Sequence, residues 1–397
     1  MSRFLFLTWN GAGNQVPAVA IAQALKKRGH EVTFAGYENQ RSYFSERGLH
    51  FVPLGRSSAA WRDEPPERMF AVKLQTVWAS SDHLVDLPQL ITEERPDAVV
   101  VDCLMFGALA AAEKAHLPIV ALVHSAPGAL MPPNGRFESQ VLGSVNGLRL
   151  QSGLPAVGCL WEAWARFPAF SNSIRQLDPM ASEAPESFAY LGPMTEERPL
   201  SHWESPWSAN DRRPLVLASF STGPYWDQSS RILRTVDAVR GGDWRALVTV
   251  SSTKFEQPSV PNNVVMVRHV PHEQVLPHVA VTVSHAGHGT VAASLKHGVP
   301  LLCLPNLAAD QPILAAQVQE LGCGLSLDGD NATPSEIREA IDRLISVPSY
   351  AANAQKLADG IRTSLGVSAA VSRLENLVSQ SKTLSAASRI VTATKMS

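Results

Sequence analysis

Two histidines, two glycines and two hydroxyls stand together in Ser284-His285-Ala286-Gly287-His288-Gly289-Thr290, and side chains of these types at this spacing can hold a phosphate. The β-branched run Val279 to Val283 before them reads as a buried strand, and Val291 to Leu295 after them reads as the start of a helix. A strand that turns into a helix through glycines exposes backbone N–H groups at the helix N-terminus, where the dipole favours an anion. His285, His288 and Thr290 add side-chain donors. Downstream, Gly298-Val299-Pro300 leads into a second apolar strand, Leu301 to Leu304, and Asp310-Gln311 then opens another helix. A carboxylate beside a carboxamide just past a strand's carboxyl end suits a polyhydroxyl ligand such as a sugar ring, although an Asp at Asp310 also suits a helix N-cap.

The elements that must position these residues alternate. In the first half, Phe4 to Trp9 reads as a strand, Gln15 to Arg28 as an amphipathic helix closed by Gly29, and Glu31 to Ala35 as a second strand. Asp97 to Val101 and Pro118 to Val123 give two more strands, with a helix over Met105 to Ala115 between them. Such alternation implies a parallel, doubly wound α/β sheet. Two segments, Gly55 to about Leu90 and Ser125 to about Glu186, fit the pattern less well and are rich in aromatics, Met and Pro. Residues 191–214, with four prolines and two tryptophans, read as a linker. A second strand–helix alternation starts at Leu215 and continues to about Leu344. The expected organisation is a first Rossmann-like domain over 1–200, a second over 215–348, closing helices over 349–380 and a disordered tail over 381–397.

Composition narrows the function. With 397 residues, 45% of them hydrophobic, and a formal net charge of −2, the chain has enough apolar content for two cores and no basic excess for nucleic acid. Cys103, Cys159, Cys303 and Cys323 show no metal-like spacing and read as reduced structural thiols. No apolar run reaches the roughly 18 residues of a membrane span and no secretory segment precedes the first strand, so a soluble, cytoplasmic protein is expected.

The string Val270-Pro271-His272, Leu276, His285-Ala286-Gly287-His288-Gly289-Thr290, Gly298-Val299-Pro300, Pro305 and Asp310-Gln311 resembles the nucleotide-sugar-dependent glycosyltransferases of the GT-B fold, family GT1, of the bacterial natural-product type. The resemblance implies two Rossmann-like doubly wound domains facing a cleft, with the last helices crossing back to the first domain. It implies a nucleoside-diphosphate sugar as co-substrate, no resident cofactor and no metal. On the donor side, His285, Gly287, His288, Gly289, Thr290 and Thr222 would hold the diphosphate, His269 and Val270 the base and ribose, and Asp310 and Gln311 the sugar. Ser221 stands where a glycine is usual in the turn after Leu215 to Ser219. Ala293 stands where plant UDP users carry a glutamate for the ribose hydroxyls, which favours a dTDP-sugar over a UDP-sugar.

An inverting transfer needs the acceptor proton removed as the hydroxyl attacks. The resemblance implies a histidine base in a Gly-His-x-x-Pro pattern, but this chain reads Gly13-Asn14-Gln15-Val16-Pro17, and an amide cannot take a proton at neutral pH. Three explanations stay open: Asp102 acts alone as the base, His124 acts as the base, or an acidic acceptor needs only the orienting help of Asn14. Asp102 could equally cap the helix that follows it. Trp61, Met69, Phe70 and Trp78 in one irregular segment, and Trp161, Trp164, Phe167 and Phe170 in the other, suggest an apolar acceptor; Trp61, Phe70, Trp78 and Trp161 are the expected wall residues, with core packing as the competing use. A homodimer is allowed by the sequence without being demanded. Gly11-Ala12-Gly13 is not a dinucleotide fingerprint, since Val16 takes the third glycine's place and no Asp or Glu clearly ends the second strand. A non-catalytic helper protein is the reading from outside enzymology.

Overall fold

The computed structural model describes residues 1–395 apart from 12, 66–67, 198–202, 221–226, 252–259 and 308–309, with side chains described to 384. The first half folds as a seven-stranded sheet in the order β3-β2-β1-β4-β5-β6-β7. Its strands are β1 (Arg3–Leu7), β2 (Glu31–Gly36), β3 (His50–Pro53), β4 (Ala98–Asp102), β5 (Ile119–Val123), β6 (Ala169–Ser171) and β7 (Phe188–Tyr190). The second half folds as a six-stranded sheet in the order β10-β9-β8-β11-β12-β13. These strands are β8 (Leu215–Ser219), β9 (Arg245–Thr249), β10 (Val264–Val267), β11 (Val279–Ser284), β12 (Leu301–Cys303) and β13 (Gly324–Ser326). All the neighbouring pairs run parallel.

Parallel strands covered by helices on both faces need apolar side chains in both directions. Accordingly β4, β5 and β8 are buried at every position. In each sheet the strand order reverses once, between β1 and β4 and between β8 and β11. Neighbouring crossovers leave in opposite directions there and open a crevice at the strands' carboxyl ends. Asn14 and Asp102 lie beyond the first reversal, with His124 one strand further on. Ser219 and His285 lie beyond the second.

The two irregular segments hold regular helices too, His83–Glu94 at the end of the first and Arg136–Gln151 within the second, with a π-helical turn over Leu74–Trp78. The linker is docked rather than loose: Trp203 and Trp207 pack half-buried against the second domain. The last helix, Gly366–Lys395, packs Ala370, Val371, Leu374 and Val378 against Phe4, Ala18 and Ile21 of the first domain. Its backbone is helical through Lys395, which corrects the disordered tail expected over 381–397 as far as residue 395; residues 396–397 lie outside the described residues. Leu384, Ala386, Ala387 and Lys395 are good helix formers extending a helix already nucleated. No helix among the described residues is long and apolar enough to cross a membrane. All four cysteines are free, three of them buried.

Candidate active site

A cleft of about 1150 Å³ is lined from both domains, by Asn14, Phe70, Trp78 and His124 on one side and by Val270, His285, His288, Thr290, Asp310 and Gln311 on the other. The second-domain floor starts where β11 ends at Ser284. The chain turns through Ala286, whose φ of 62° lies in the left-handed region, an unusual state for a residue with a Cβ and one that marks functional turns. Gly287 then caps the helix His288–Lys296, and no side chain bonds to its first N–H groups. A Cβ on Gly287 would lie 2.5 Å from His285 Nε2, so glycine is what lets the imidazole rest against this turn. A Cβ on Gly289 would meet nothing within 4 Å, and Gly289 borders the cleft. Bare backbone faces the opening there.

Both histidines of the turn are buried, at 8% and 7% exposure. Among the described residues, His285 Nδ1 and His288 Nε2 have no hydrogen-bond partner. A buried polar atom without a partner costs about 1–3 kcal/mol; both nitrogens are closed off from the cleft as the rings stand, so an oxyanion would meet them only with a turn of each ring. Burial holds each imidazole down at about 4, with the Arg231 charge adding to the effect on His285 and that of His124 on His288. At neutral pH both are therefore uncharged. Thr290 lies half-buried beside them; Val270 and the exposed His269 line the same wall. Thr222 lies outside the described residues. At the end of β8, Ser219 Oγ meets His272 Nε2 at 3.1 Å.

Asp310 precedes the helix Gln311–Glu320 but makes no side-chain cap bond. Its Oδ2 instead accepts from Ser125 Oγ of the first domain at 2.6 Å, across the cleft. Burial raises the Asp310 carboxyl. Gln311 Oε1 accepts from Asn306 N and Nδ2 at 3.0 and 2.9 Å. That fixes the carboxamide and leaves its NH2 as the end able to donate.

On the first-domain side the carboxylate of Asp102 is surrounded. Oδ1 accepts from Trp9 Nε1 at 3.1 Å and Leu104 N at 3.0 Å; Oδ2 accepts from Asn14 Nδ2 at 3.1 Å and His124 Nδ1 at 3.1 Å. Asp102 does hold the turn before the helix Phe106–Ala112, through Leu104 N, yet Met105 is that helix's N-cap. Asn14 spends its amide as well: Nδ2 also donates to Trp9 O at 3.0 Å, and Oδ1 accepts from Gly11 N at 3.1 Å. Asp102, Cys103 and His124 bring one ligand-type atom each within 4.8 Å of one another. Both Asp102 oxygens are already taken by N–H donors, however, and burial pushes the Cys103 thiol up. This group is better suited to passing a proton than to holding a cation.

The apolar wall is an aromatic trio. Trp78 packs edge-on against Phe137 at 4.7 Å and Phe70 at 5.2 Å between ring centroids, and Phe70 meets Phe137 at 6.0 Å. Lys73 adds its ammonium 5.4 Å from the Trp9 ring centroid, where burial lowers it to about 8. Phe70 and Trp78 border the cleft. Trp61 and Trp161 do not line the cleft. Trp161 is a core residue packed on Phe188 at 5.5 Å; Trp61 leans on Tyr37 at 5.4 Å and donates to Asp63 at 3.1 Å. The reason is that a spacing-three stripe on the helix Leu160–Trp164 faces inward over the β-sheet. Phe137, Ser125, Asn306 and Lys73 carry no sequence signal of their own and enter the site only through folding.

Residues 234–377 match the family model described as Erythromycin biosynthesis protein CIII-like, C-terminal domain, and residues 5–127 match the Glycosyltransferase family 28 N-terminal domain. The 4'-demethylrebeccamycin synthase of Lentzea aerocolonigenes is 25% identical, over 95% of this chain and 100% of that one. Among solved structures, the glycotransferase of kitacinnamycin superposes with a TM-score of 0.77 at 24% identity, covering 95% of this chain and 99% of its own. Glycosyltransferase VinC, solved in complex with dTDP, superposes with a TM-score of 0.70 at 22% identity, covering 95% and 100%. At these identities the structural likeness concerns the fold.

Proposed function

The chain belongs to the GT-B glycosyltransferases of family GT1, natural-product type, and from that premise we propose an inverting transfer of a hexosyl unit, of the deoxysugar kind, from a dTDP-sugar to an apolar aglycone. The observation that carries this reading is a single cleft with two unpartnered imidazole nitrogens beside an uncapped helix N-terminus on one side and an aromatic trio on the other. A diphosphate would take hydrogen bonds from His285, His288, Thr290 and the backbone at Gly287 and Gly289. The helix dipole would favour the negative charge that grows on the leaving diphosphate. Asp310 and Gln311 would hold sugar hydroxyls, with Asp310 giving up Ser125 as a partner when the sugar arrives. His269 and Val270 would flank the base.

The choice of dTDP is supported by Ala293, which borders the cleft without a carboxylate for a ribose 2′-hydroxyl, and by the dTDP in the VinC complex. Phe70, Trp78 and Phe137 would receive a flat apolar acceptor. Calorimetric titration with dTDP, UDP and GDP tests the donor. Preference for dTDP is expected; preference for UDP would keep the transfer and replace the donor. Binding of none of them would favour a non-catalytic helper.

A further inference from the structure

The first-domain end of the cleft holds one carboxylate, one amide and one imidazole, and their bonds divide the work among them. Asp102 is 1% exposed and its two oxygens accept four hydrogen bonds. Four N–H donors occupy both oxygens and leave no lone pair aimed at a substrate. Asn14, 3% exposed, uses both ends of its amide on Trp9, Gly11 and Asp102. His124 differs. Its side chain is 13% exposed and borders the cleft. Because a carboxylate only accepts, the contact to Asp102 puts a proton on Nδ1, and in the neutral ring that leaves Nε2 as the acceptor. Among the described residues no hydrogen bond engages Nε2.

We infer that His124 is the base that takes the acceptor's proton, with Asp102 orienting it and Asn14 bracing Asp102, which holds only if the cleft carries out the transfer proposed above. In that step the acceptor oxygen bonds to the anomeric carbon while its proton moves to His124 Nε2. The bond from that carbon to the diphosphate oxygen breaks, and the electron pair leaves with the nucleoside diphosphate. The imidazolium formed lies 3.1 Å from Asp102, so the positive charge meets a carboxylate already in place. The titratable groups facing His124 are Asp102 and Cys103 from the β4 end, and His288 and Asp310 from the second domain. Burial pulls the imidazolium of His124 down, but the Asp102 charge, then Cys103 and the hydrogen bonds, outweigh it and raise its pKa well above the usual histidine range. The base is then more fully available as pH rises.

The test uses the full chain with dTDP-glucose and UDP-glucose and two probe acceptors: phenol, which keeps its proton at neutral pH, and 4-nitrophenol, which largely ionises unaided. In His124→Gln, kcat on phenol should fall by roughly 10²–10⁴-fold, with dTDP affinity within about twofold of the parent, an allowance well under one hydrogen bond. On 4-nitrophenol the fall should be much smaller, and with phenol as acceptor the acid limb of the pH–rate profile should vanish. Asp102→Asn should move that limb to lower pH while lowering the maximum. In the double variant His124→Gln with Asn14→His, a new imidazole beside the same Asp102 oxygen should restore turnover of phenol. Equal losses on both acceptors, or an acid limb that persists in His124→Gln, would overturn the assignment while leaving the transfer intact. Failure of the parent protein to release nucleoside diphosphate from either donor would instead remove the transfer itself.

Discussion

Replacing Gly289 with Ala should strengthen the fold and weaken the proposed donor site at once. Gly289 is the second residue of the helix His288–Lys296 and its φ is not in the left-handed region. An added Cβ meets nothing within 4 Å. In an exposed helical position Ala is favoured over Gly by about 0.5–1 kcal/mol. For a domain of this size that is a rise in Tm of about 1–4 °C. If a diphosphate rests on the backbone at Gly289, the methyl occupies the space it needs. Loss of one hydrogen bond to a charged oxygen is worth about 1.5–3 kcal/mol, so the Kd for dTDP should rise roughly 10- to 150-fold. Differential scanning calorimetry and isothermal titration on the same preparations read both quantities. Gly287→Ala is the control: its Cβ would stand 2.5 Å from His285 Nε2, so it should lose stability and affinity together. A Gly289→Ala protein that binds dTDP as tightly as the parent would refute a phosphate cradle at this turn.

Other outcomes follow from the same geometry. His285→Ala should weaken dTDP binding at least tenfold, about one charge-assisted hydrogen bond, with the fold retained by circular dichroism; unchanged affinity would remove His285 from the site. His285 and His288 are held at about 4 in the open cleft, and a diphosphate beside them must raise those values. Binding should therefore take up protons, and dTDP affinity should grow as pH falls below neutral. Titrations in buffers of different ionisation enthalpy measure the uptake, and zero uptake at mildly acidic pH would exclude imidazole–phosphate contact. Activity should survive a chelator such as EDTA; a collapse reversed by Mg²⁺ would show that the diphosphate leaves with metal help. Finally, Phe70→Ala should raise acceptor KM with little change in Tm, since Phe70 is 37% exposed, whereas Trp161→Ala should cost about 3–5 kcal/mol of stability. The reverse pattern would mean that the aromatic wall has been misplaced.

The parts of this site readable from sequence are those whose chemistry is local. The turn from Ser284 to Thr290 declares itself because glycine freedom, imidazole donors and a helix start are all encoded within seven consecutive residues. The ends of β1, β4 and β5 are readable for a similar reason: buried strands are continuous apolar runs, and the first polar residue after each, such as Asp102 or His124, must emerge at a carboxyl end. What cannot be read is convergence. That Trp9, Asn14, Leu104 and His124 all reach one carboxylate depends on the parallel register of β1 beside β4 and of β4 beside β5. Only that register bears on which of the three explanations left open by the sequence applies. Trp161 and Phe70 look alike as sequence, both being aromatics in irregular apolar segments; the fold turns one inward and leaves the other at the cleft. Ser125 is an ordinary loop serine until Asp310 arrives from the other domain.

The last helix has a consequence for anyone exchanging halves between relatives to mix donor and acceptor preferences. It follows the second domain in the chain, yet Ala370, Val371, Leu374 and Val378 complete the core around Phe4 and Ile21, and Glu375 pairs with Arg28 and His30. A chimaera with a single junction near residue 214 would therefore graft a foreign helix into the first domain and leave that core mismatched. The workable exchange has two junctions, the second between the helix Pro348–Arg362 and Gly366, so that each parent's first domain keeps its own closing helix. The unit of modularity in this molecule is an inserted middle rather than a detachable end.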